Sequence, residues 1–343
     1  MKLFKQYKAA AYLPNLYTLL QYLLLNTQRM EDTLFFIHQK FPILVVPGLS
    51  ESDFLRGGSK FQILFSAAKI YWLILWNRNL PIYLGGDLLF THVFLRCSKN
   101  TVYLEDGAAS YEVVYEKERQ MRTKRKNWWA RLLMGDVYPW FGLADNVRTI
   151  YLTGILPIPE IIADKVELIN MKQLWFQKTR EEQEEITRIF LPSEFGRNLI
   201  REYDVFLLTQ PFSEISGGCF SEEEKIEVYR KLVAQYNESE LVIKTHPAEI
   251  TDYSKYFPKA RIIDLPCPLE LLILLGLRAQ TVISVNSTAI LGLEDFQEKI
   301  VSGYDVTPAL KREAIRRGIY GGVSNKSMHI GRRSESSNIT VTK

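Results

Sequence analysis

The sequence predicts an α/β protein of two domains, each organised around a mostly parallel β-sheet. Short β-branched and apolar runs alternate with helical stretches through both halves of the 343-residue chain, a pattern typical of repeated βα units. A chain of this length favours about two domains. One run in each half also ends at charged or titratable residues, Glu105-Asp106-Gly107 in the first half and His246-Pro247 in the second. Open α/β sheets bind their ligands at such strand ends.

The elements of the first half follow from apolar runs and the residues that interrupt them. Pro14-Asn15 separates an opening strand from a leucine-rich helix, and Gly85-Gly86-Asp87 ends a later strand in a tight turn. We predict strands at 9–13, 32–37, 43–46, 81–84 and 101–104, and helices at 16–25 and 61–76. The 61–76 window is the most apolar, but it is shorter than the roughly 20 residues that span a bilayer. We interpret it as a buried helix and expect no transmembrane anchor.

The second half repeats the α/β pattern after a highly charged, helix-prone stretch at 179–188. Ser221 and Glu224 form a capping box, which predicts a helix from there to about residue 236. We predict strands at 205–208, 241–244, 261–263 and 281–284, and a further helix at 269–275. The predicted domains are 1–160 and 161–305, followed by a C-terminal helix and loose tail over 306–343.

Composition narrows the class of protein. Hydrophobic content of 47% and charged content of 24% are ordinary for a soluble globular protein, and a formal charge of +4 is too weak to indicate nucleic acid. Cys97, Cys219 and Cys267 are too widely spaced for a metal cluster or a disulfide framework. Reduced thiols in the cytosol are the simpler interpretation.

Residues 117–131 carry seven basic side chains around Trp128 and Trp129. Basic residues interleaved with aromatic ones can bind an anionic membrane surface or nucleic acid. A solvated helix face with two core tryptophans explains the same pattern equally well. Among the functional interpretations, a membrane surface or an anionic glycan is favoured over nucleic acid, because nothing else in the chain is typical of a nucleic-acid module.

Titratable side chains at the two strand ends could carry a transfer reaction. A carboxylate of Glu105 or Asp106 could act as a general base, or Asp106 could cap a turn. Lys244 and His246 point to the same face of a strand and could neutralise a phosphate, with His246 donating a hydrogen bond or a proton to the leaving oxygen. A structural role for the histidine, bonded to a backbone carbonyl, is the alternative.

Two later segments offer further contacts for a nucleotide. Ser287-Thr288 follows a strand and precedes a helix-like run, where backbone N–H groups and hydroxyls bind phosphate readily; an ordinary N-cap needs the same residues. Glu270 lies in a predicted first helical turn, where it could accept hydrogen bonds from ribose hydroxyls or be satisfied by the helix dipole.

These motifs in this order resemble those of bacterial sialyltransferases of GT-B architecture. The resemblance is to the lipooligosaccharide and capsule sialyltransferases of glycosyltransferase family 52 and to the related polysialyltransferases. It spans roughly residues 9 to 300. The motifs that match are Glu105-Asp106-Gly107, His246-Pro247 and Ser287-Thr288, with Lys244, Glu270, Tyr12-Leu13-Pro14-Asn15 and Leu207-Leu208-Thr209-Gln210-Pro211.

The resemblance implies two Rossmann-like domains with a cleft between them, the first for the acceptor and the second for the nucleotide sugar. It implies that Glu105 is the general base, that Asp106 orients its loop and that His246 binds the CMP phosphate and assists its departure. The CMP site would include Lys244, Pro247, Glu270, Ser287, Thr288, Thr209 and Gln210, and the acceptor side Asn15, Gly107 and Asp87. Many family members carry Asp where this chain has Glu105, which leaves open which carboxylate is the base.

The activity implied is inverting transfer of sialic acid from CMP-Neu5Ac to a galactose or sialic acid hydroxyl of a bacterial lipooligosaccharide or capsule. No Asp-x-Asp motif occurs in the chain, so we expect neither a metal nor another cofactor. We expect a cytoplasmic protein, peripheral on the inner face of the cytoplasmic membrane through 117–131. The alternatives are a GT-B transferase that uses CMP-Kdo or a UDP-hexose, and a non-catalytic glycan-assembly protein.

Overall fold

The chain forms two compact units, Met1–Ile189 and Phe190–Lys343. The structure is a computed structural model, which describes residues 6–26, 30–38, 54–55, 58–77, 79–111, 128, 131, 141–191, 199–290, 296–320 and 328–331. Each unit is organised around its own β-sheet, and most of its helices are short.

The first unit is built on a seven-stranded parallel sheet in the order β3-β2-β1-β4-β5-β6-β7. Its strands are β1 Ala9–Leu13, β2 Thr33–His38, β3 Phe54–Leu55, β4 Ile82–Leu84, β5 Thr101–Leu104, β6 Val147–Leu152 and β7 Val166–Leu168. Its helices are α1 Leu16–Leu25, α2 Lys60–Trp76, α3 Thr91–Cys97, α4 Met171–Gln177 and α5 Arg180–Phe190, the last crossing into the second unit by one residue.

Strand β1 lies inside the sheet and is buried on both faces. All five of its residues are buried, as expected of a parallel strand covered by helices. Its Tyr12 ring packs against Phe90 and Phe94, with ring centroids 6.5 and 5.1 Å apart. Helix α1 follows at once because Asn15 caps it, accepting a hydrogen bond from the Thr18 N–H at 3.0 Å.

The second unit has a six-stranded sheet in the order β10-β9-β8-β11-β12-β13, parallel except for the β12–β13 pair. Its strands are β8 Glu202–Leu208, β9 Leu241–Lys244, β10 Arg261–Ile263, β11 Arg278–Ser284, β12 Glu298–Val301 and β13 Met328–Gly331. Its helices are α6 Phe212–Ile215, α7 Glu222–Val233, α8 Leu269–Leu274 and α9 Pro308–Arg316. The predicted capping box of Ser221 and Glu224 starts α7.

Both sheets follow one strand order, although the sequence shows no internal repeat. Counted along the chain within each unit, the first five strands are arranged 3-2-1-4-5, which is the Rossmann order. The order reverses between β1 and β4 in the first unit and between β8 and β11 in the second. Ligands of such sheets bind beyond the carboxyl ends of the strands at this switch point. In each unit a ligand is therefore expected at the carboxyl edge of the sheet.

Several predictions need correction against this architecture. The first unit continues past residue 160 because β7 pairs with β6. The C-terminal region is not a loose tail throughout, since β13 adds an antiparallel strand to β12. The helix predicted at 61–76 is α2, but only one of its faces is buried. The strand predicted at 43–46 and most of 117–131 lie outside the described residues. No helix in the described part of the chain combines the length and apolarity needed to cross a membrane.

Candidate functional site

Each sheet places polar residues at the carboxyl ends of neighbouring strands. In the first unit Asn15, Asp87, Glu105, Asp106 and Thr153 follow β1, β4, β5 and β6, and we call this group the acidic edge. In the second unit Thr209, Gln210, Lys244, His246 and Glu249 follow β8 or lie at the end of β9 and just beyond it. We call this second group the histidine edge.

Glu105 is completely buried and its carboxylate is fully engaged inside the unit. The hydroxyls of Tyr17 and Tyr111 donate to it at 2.9 and 2.7 Å. The backbone N–H of Thr153 donates at 2.6 Å and its hydroxyl lies 2.8 Å from both oxygens. The Gln21 side chain also bonds the Glu105 backbone, at 3.1 and 3.3 Å. Because every oxygen has a partner, Glu105 cannot reach a sugar hydroxyl without breaking this network.

Asp106 has the properties that Glu105 lacks. Its side chain is partly exposed, and Oδ1 accepts a 2.5 Å hydrogen bond from the Asn15 amide. Within the described part of the chain no group donates to Oδ2, which faces Gly86. Burial and the neighbouring charge of Glu105 raise the pKa of Asp106 to about 6, although the Asn15 hydrogen bond opposes the shift. A carboxylate with a pKa near neutrality suits proton abstraction at physiological pH.

The backbone around Asp106 depends on glycine. Gly86 has a φ of +111° and Gly107 a φ of +60°, both in the region that other residues rarely adopt. A Cβ on Gly86 would lie 3.1 Å from Asp106 Oδ2. Asp87, also predicted on the acceptor side, accepts from the Tyr103 hydroxyl at 3.0 Å and the Phe141 N–H at 2.6 Å. These bonds indicate that Asp87 fixes the loop after β4.

His246 lies just beyond β9 and is partly exposed. The Ala248 N–H donates to its Nδ1 at 3.1 Å, so the proton of the neutral ring is on Nε2. Burial, reinforced by the positive charge of Lys244, lowers the pKa of His246 to about 4, and the charge of Glu214 offsets this only in part. The imidazole is therefore neutral at pH 7 and presents one Nε2–H donor. It is suited to bonding an anionic oxygen.

Lys244 is buried, and its ammonium is used within the loops of the histidine edge. It donates to the carbonyls of Thr245 at 2.8 Å and Leu265 at 2.9 Å. Burial lowers its pKa, while Cys267, Glu270 and other nearby acidic groups oppose the shift. Lys244 thus joins two strand-end loops, and contact with a phosphate remains a prediction. Glu270, in the first turn of α8, is placed close enough to interact with this ammonium.

A buried network holds the His246 loop in place. The Glu249 carboxylate accepts from the His246 N–H at 2.7 Å, from the Thr209 hydroxyl, and from the Tyr253 hydroxyl at 2.5 Å. The fully buried Lys225 lies 3.4 Å from it and 2.7 Å from Glu214. A buried cation between two carboxylates is compensated. Glu249 therefore ties the loops after β8 and β9 to helix α7, which carries Lys225.

The remaining predicted CMP contacts lie around the switch point of this sheet. The backbone of Gln210, after β8, is held by the Tyr229 hydroxyl at 2.6 and 3.2 Å. Ser287, after the adjacent strand β11, donates its N–H to the Ser284 hydroxyl at 2.8 Å. Thr288 begins a 3-10 helix, Thr288–Ile290. Pro247 is exposed beside His246.

Sequence reasoning missed the groups that organise these edges. Tyr17 and Thr153 reach Glu105 from 88 and 48 residues away, which no local pattern indicates. Glu249 could have been found, because a carboxylate three residues after a strand-end histidine can turn back to its N–H. Among the described residues no group of His, Cys, Asp and Glu side chains could hold a metal ion.

Three solved structures of bacterial enzymes are similar to this chain in fold. A sialyltransferase from Photobacterium damselae covers 91% of this chain and 97% of its own GT-B domain, with a TM-score of 0.53 and 12% identity. An α/β-galactoside α-2,3-sialyltransferase from Photobacterium phosphoreum covers 94% and 98%, with a TM-score of 0.55 and 12% identity. A 2,6-sialyltransferase from Photobacterium sp. JT-ISH-224, solved with CMP and lactose, covers 91% and 77%, with a TM-score of 0.57 and 13% identity.

These likenesses, together with the two Rossmann-like units, establish the GT-B fold. The polar edges that face the ligand side of both sheets are consistent with a glycosyltransferase of this architecture. The sequence profile described as Glycosyltransferase family 52 matches residues 64–310, and the chain belongs to that family. An uncharacterized protein of Haemophilus influenzae strain Rd is 37% identical over 206 residues. That match covers 60% of this chain and 63% of the Haemophilus protein.

Proposed function

We propose that this glycosyltransferase is an inverting, metal-independent sialyltransferase that moves sialic acid from CMP-Neu5Ac to a sugar hydroxyl. The observation that carries the proposal is the presence of two complementary groups. The first unit has a carboxylate whose pKa lies near neutrality, and the second has a neutral histidine that can donate a hydrogen bond. Family membership and the shared fold with three sialyltransferases support the donor class.

Asp106 acts as the general base in this proposal, in place of the Glu105 that the family resemblance implied. The acceptor hydroxyl gives its proton to Oδ2 of Asp106 as its oxygen forms a bond to the anomeric carbon. The bond from that carbon to the CMP phosphate breaks, and its electron pair leaves with the phosphate. Attack from the face opposite CMP inverts the anomeric centre. Glu105 holds the strand end in register, since its oxygens are already bonded.

His246 stabilises the departing phosphate with its Nε2–H, and the hydroxyls of Ser287 and Thr288 are assigned to the same group. Glu270 holds the ribose hydroxyls. Hydrogen bonds aimed at developing charge are worth more in a dry site than in water, which is why CMP departure needs no cation here. CMP leaves as a stable phosphate monoester, so a hydrogen bond from the neutral His246 is sufficient and no proton has to be transferred to the leaving oxygen.

The acceptor is a galactose or sialic acid of a lipooligosaccharide or capsule, and the protein is peripheral on the cytoplasmic face of the inner membrane. The basic residues of 117–131 would contact anionic lipid there. Within that segment the structure describes Trp128 and one basic residue, Arg131, and both are exposed. Reversing the charges of Lys124, Arg125 and Lys126 should then abolish salt-sensitive binding to anionic liposomes. Binding unchanged by the reversal would remove this segment from the interaction.

A donor panel tests the function directly. The protein is incubated with CMP-Neu5Ac, CMP-Kdo or a UDP-hexose, in the presence of lactose or sialyllactose, and products are measured by mass. We expect a sialylated product with CMP-Neu5Ac alone. Product from another donor only would identify a different GT-B transferase. No product from any donor, with CMP failing to bind by calorimetry, would indicate a non-catalytic glycan-assembly protein.

A further inference from the structure

The outer face of α2 is an apolar surface, among the described residues of the first unit, that the proposed reaction does not use. Its inner face, formed by Ser66, Ala67, Ile70, Leu73 and Ile74, is buried, and the apolar members belong to the core. The outer face consists of large apolar side chains that remain exposed. These are Phe61, Leu64, Phe65, Trp72, Leu75 and Trp76, and we call them the α2 stripe.

The exposure of the α2 stripe is extensive and continuous. Phe61 is 79% exposed and Phe65 69%, and the remaining members are about half exposed. Their positions repeat at three, four and seven residues, which places them on one side of the helix. The stripe runs from Phe61 to Trp76, about 22 Å at the rise of an α-helix. Soluble monomers rarely leave so long an apolar surface uncovered unless it binds something.

The surroundings of the stripe are basic. Between residues 54 and 104 the chain has six Lys or Arg residues and one acidic residue, Asp87. Helix α2 itself contains two lysines and no acidic residue. Arg96 of α3 lies close enough to Tyr71 of α2 to influence its pKa, and it donates to the Arg131 carbonyl at 3.4 Å. Trp128, three residues before Arg131 in the chain, is 75% exposed.

We infer that the α2 stripe docks on an anionic lipid bilayer, with the helix parallel to the membrane surface. Tryptophan is enriched at the membrane–water interface, and Trp72 and Trp76 stack at 6.1 Å on the exposed side. A helix that inserts apolar side chains into the bilayer and has Lys and Arg residues beside them is suited to an anionic lipid surface. A second copy of the chain suits it less, because a two-fold interface would bring the same basic residues together.

The inference concerns side chains of α2 and not those of residues 117–131, and it goes beyond the proposed reaction. Helix α2 follows β3 and therefore starts at the carboxyl edge of the sheet, the edge that carries Asp106. If the proposed function holds, the bilayer would lie near the edge that takes a lipid-linked acceptor. The docking itself is measured without turnover, so its failure and the failure of the proposed reaction are separate results.

The test uses the full chain and co-sedimentation with vesicles of phosphatidylcholine, with or without phosphatidylglycerol. The double variant Trp72→Gln/Trp76→Gln removes the stacked pair, and Phe176→Gln on α4 is the matched control, because Phe176 is 68% exposed and lies outside the stripe. We expect the wild type and the control to bind the anionic vesicles alike, and the double variant to bind about tenfold more weakly or worse. Thermal melting and CMP binding should be the same in all three proteins.

Three results would overturn the inference. The first is a wild-type protein that fails to bind anionic vesicles. The second is a double variant that binds as well as the wild type, which would leave 117–131 as the membrane contact. The third is light scattering that shows a wild-type dimer, converted to monomer by the double variant while vesicle binding persists, which would assign the stripe to a second copy.

Discussion

The acidic edge and the histidine edge are built alike, and the difference between them lies in how each is charged. Each edge holds one carboxylate with a buried side chain that receives several hydrogen bonds, Glu105 in the first unit and Glu249 in the second. Beside each lies a partly exposed titratable side chain, Asp106 or His246. The buried carboxylate positions the strand end.

The surrounding charges shift the pKa values of Asp106 and His246 in opposite directions. The donors to Glu105 are hydroxyls and an amide, so its charge adds to burial and raises the pKa of Asp106. At the histidine edge Lys225 compensates Glu249, and burial with the charge of Lys244 lowers the pKa of His246. One edge thus gains a base active near neutrality and the other a neutral donor.

The largest expected effect comes from removing the base. Asp106→Asn keeps the Asn15 contact but cannot accept a proton, so kcat should fall by about 10²- to 10⁴-fold. The affinity for CMP should be unchanged, because Asp106 belongs to the first unit and the proposed CMP contacts belong to the second. Steady-state kinetics and calorimetry on the same preparation measure both quantities.

Glu105→Gln is the matched control for that prediction. A neutral amide disturbs the bonds from Tyr17, Tyr111 and Thr153, so the free energy of unfolding should fall by about 1–3 kcal/mol. The enzyme that remains folded should keep an acid limb, shifted to lower pH than in the wild type, because the charge that helps to raise the pKa of Asp106 is gone. A Glu105→Gln variant that is stable but inactive, beside an active Asp106→Asn, would exchange the roles of the two carboxylates.

Glu249→Gln tests whether the histidine edge depends on its buried carboxylate in the same way. The change weakens the hold on the His246 N–H and leaves Lys225 less compensated. CMP should bind about tenfold more weakly, and the free energy of unfolding should fall by about 1–3 kcal/mol. The exposed Glu240→Gln in the same unit should change neither quantity, and equal behaviour of the two variants would refute the positioning role.

The raised pKa of Asp106 also predicts a stability effect of its own. Ionisation of this carboxyl is disfavoured in the folded protein, so its penalty is absent below the usual value of 3.8, grows as pH rises to about 6, and is constant above. Asp106→Asn should therefore be more stable than the wild type above about pH 6, by about 3 kcal/mol. Thermal melts across this range should show the difference grow and level off; a constant difference would contradict it.

The smallest expected effect concerns the charge on His246. Its ring should remain neutral with the Nε2 tautomer down to about pH 5 in the free protein, given a pKa of about 4. A bound phosphate favours the imidazolium form, so CMP should raise the pKa of His246 and bind more tightly as pH falls. Ring nitrogen shifts in NMR report both; an imidazolium at about pH 6 without CMP would contradict this assignment.

The sequence predicted those parts of the molecule that depend on neighbours along the chain. Helix α1 is found at the predicted residues because Asn15 caps it, and β5 and β9 end where titratable residues follow. The roles within Glu105-Asp106 could not be predicted, because the partners that bury Glu105 come from distant strands. Strand β7 was not predicted because it is short and mostly exposed.

Helix α2 illustrates another limit of local patterns. Its sequence over 61–76 is the most apolar window of the chain and is too short to span a bilayer, and the prediction of a buried helix rests on this ground. Which side is covered depends on the packing of α3 and the sheet, and that information is spread over the fold. The exposed half became visible only with the structure, and it carries the membrane inference.

The pH dependence of kcat/KM for sialyl transfer tests the central claim, that Asp106 takes the acceptor proton. We expect an acid limb with an apparent pKa of about 6, below which the rate falls as the carboxylate is protonated. His246 should add no limb between about pH 5 and pH 8. A rate that stays constant from about pH 8 down to about pH 5, with CMP-Neu5Ac as a working donor, would contradict the assignment of Asp106 as the base.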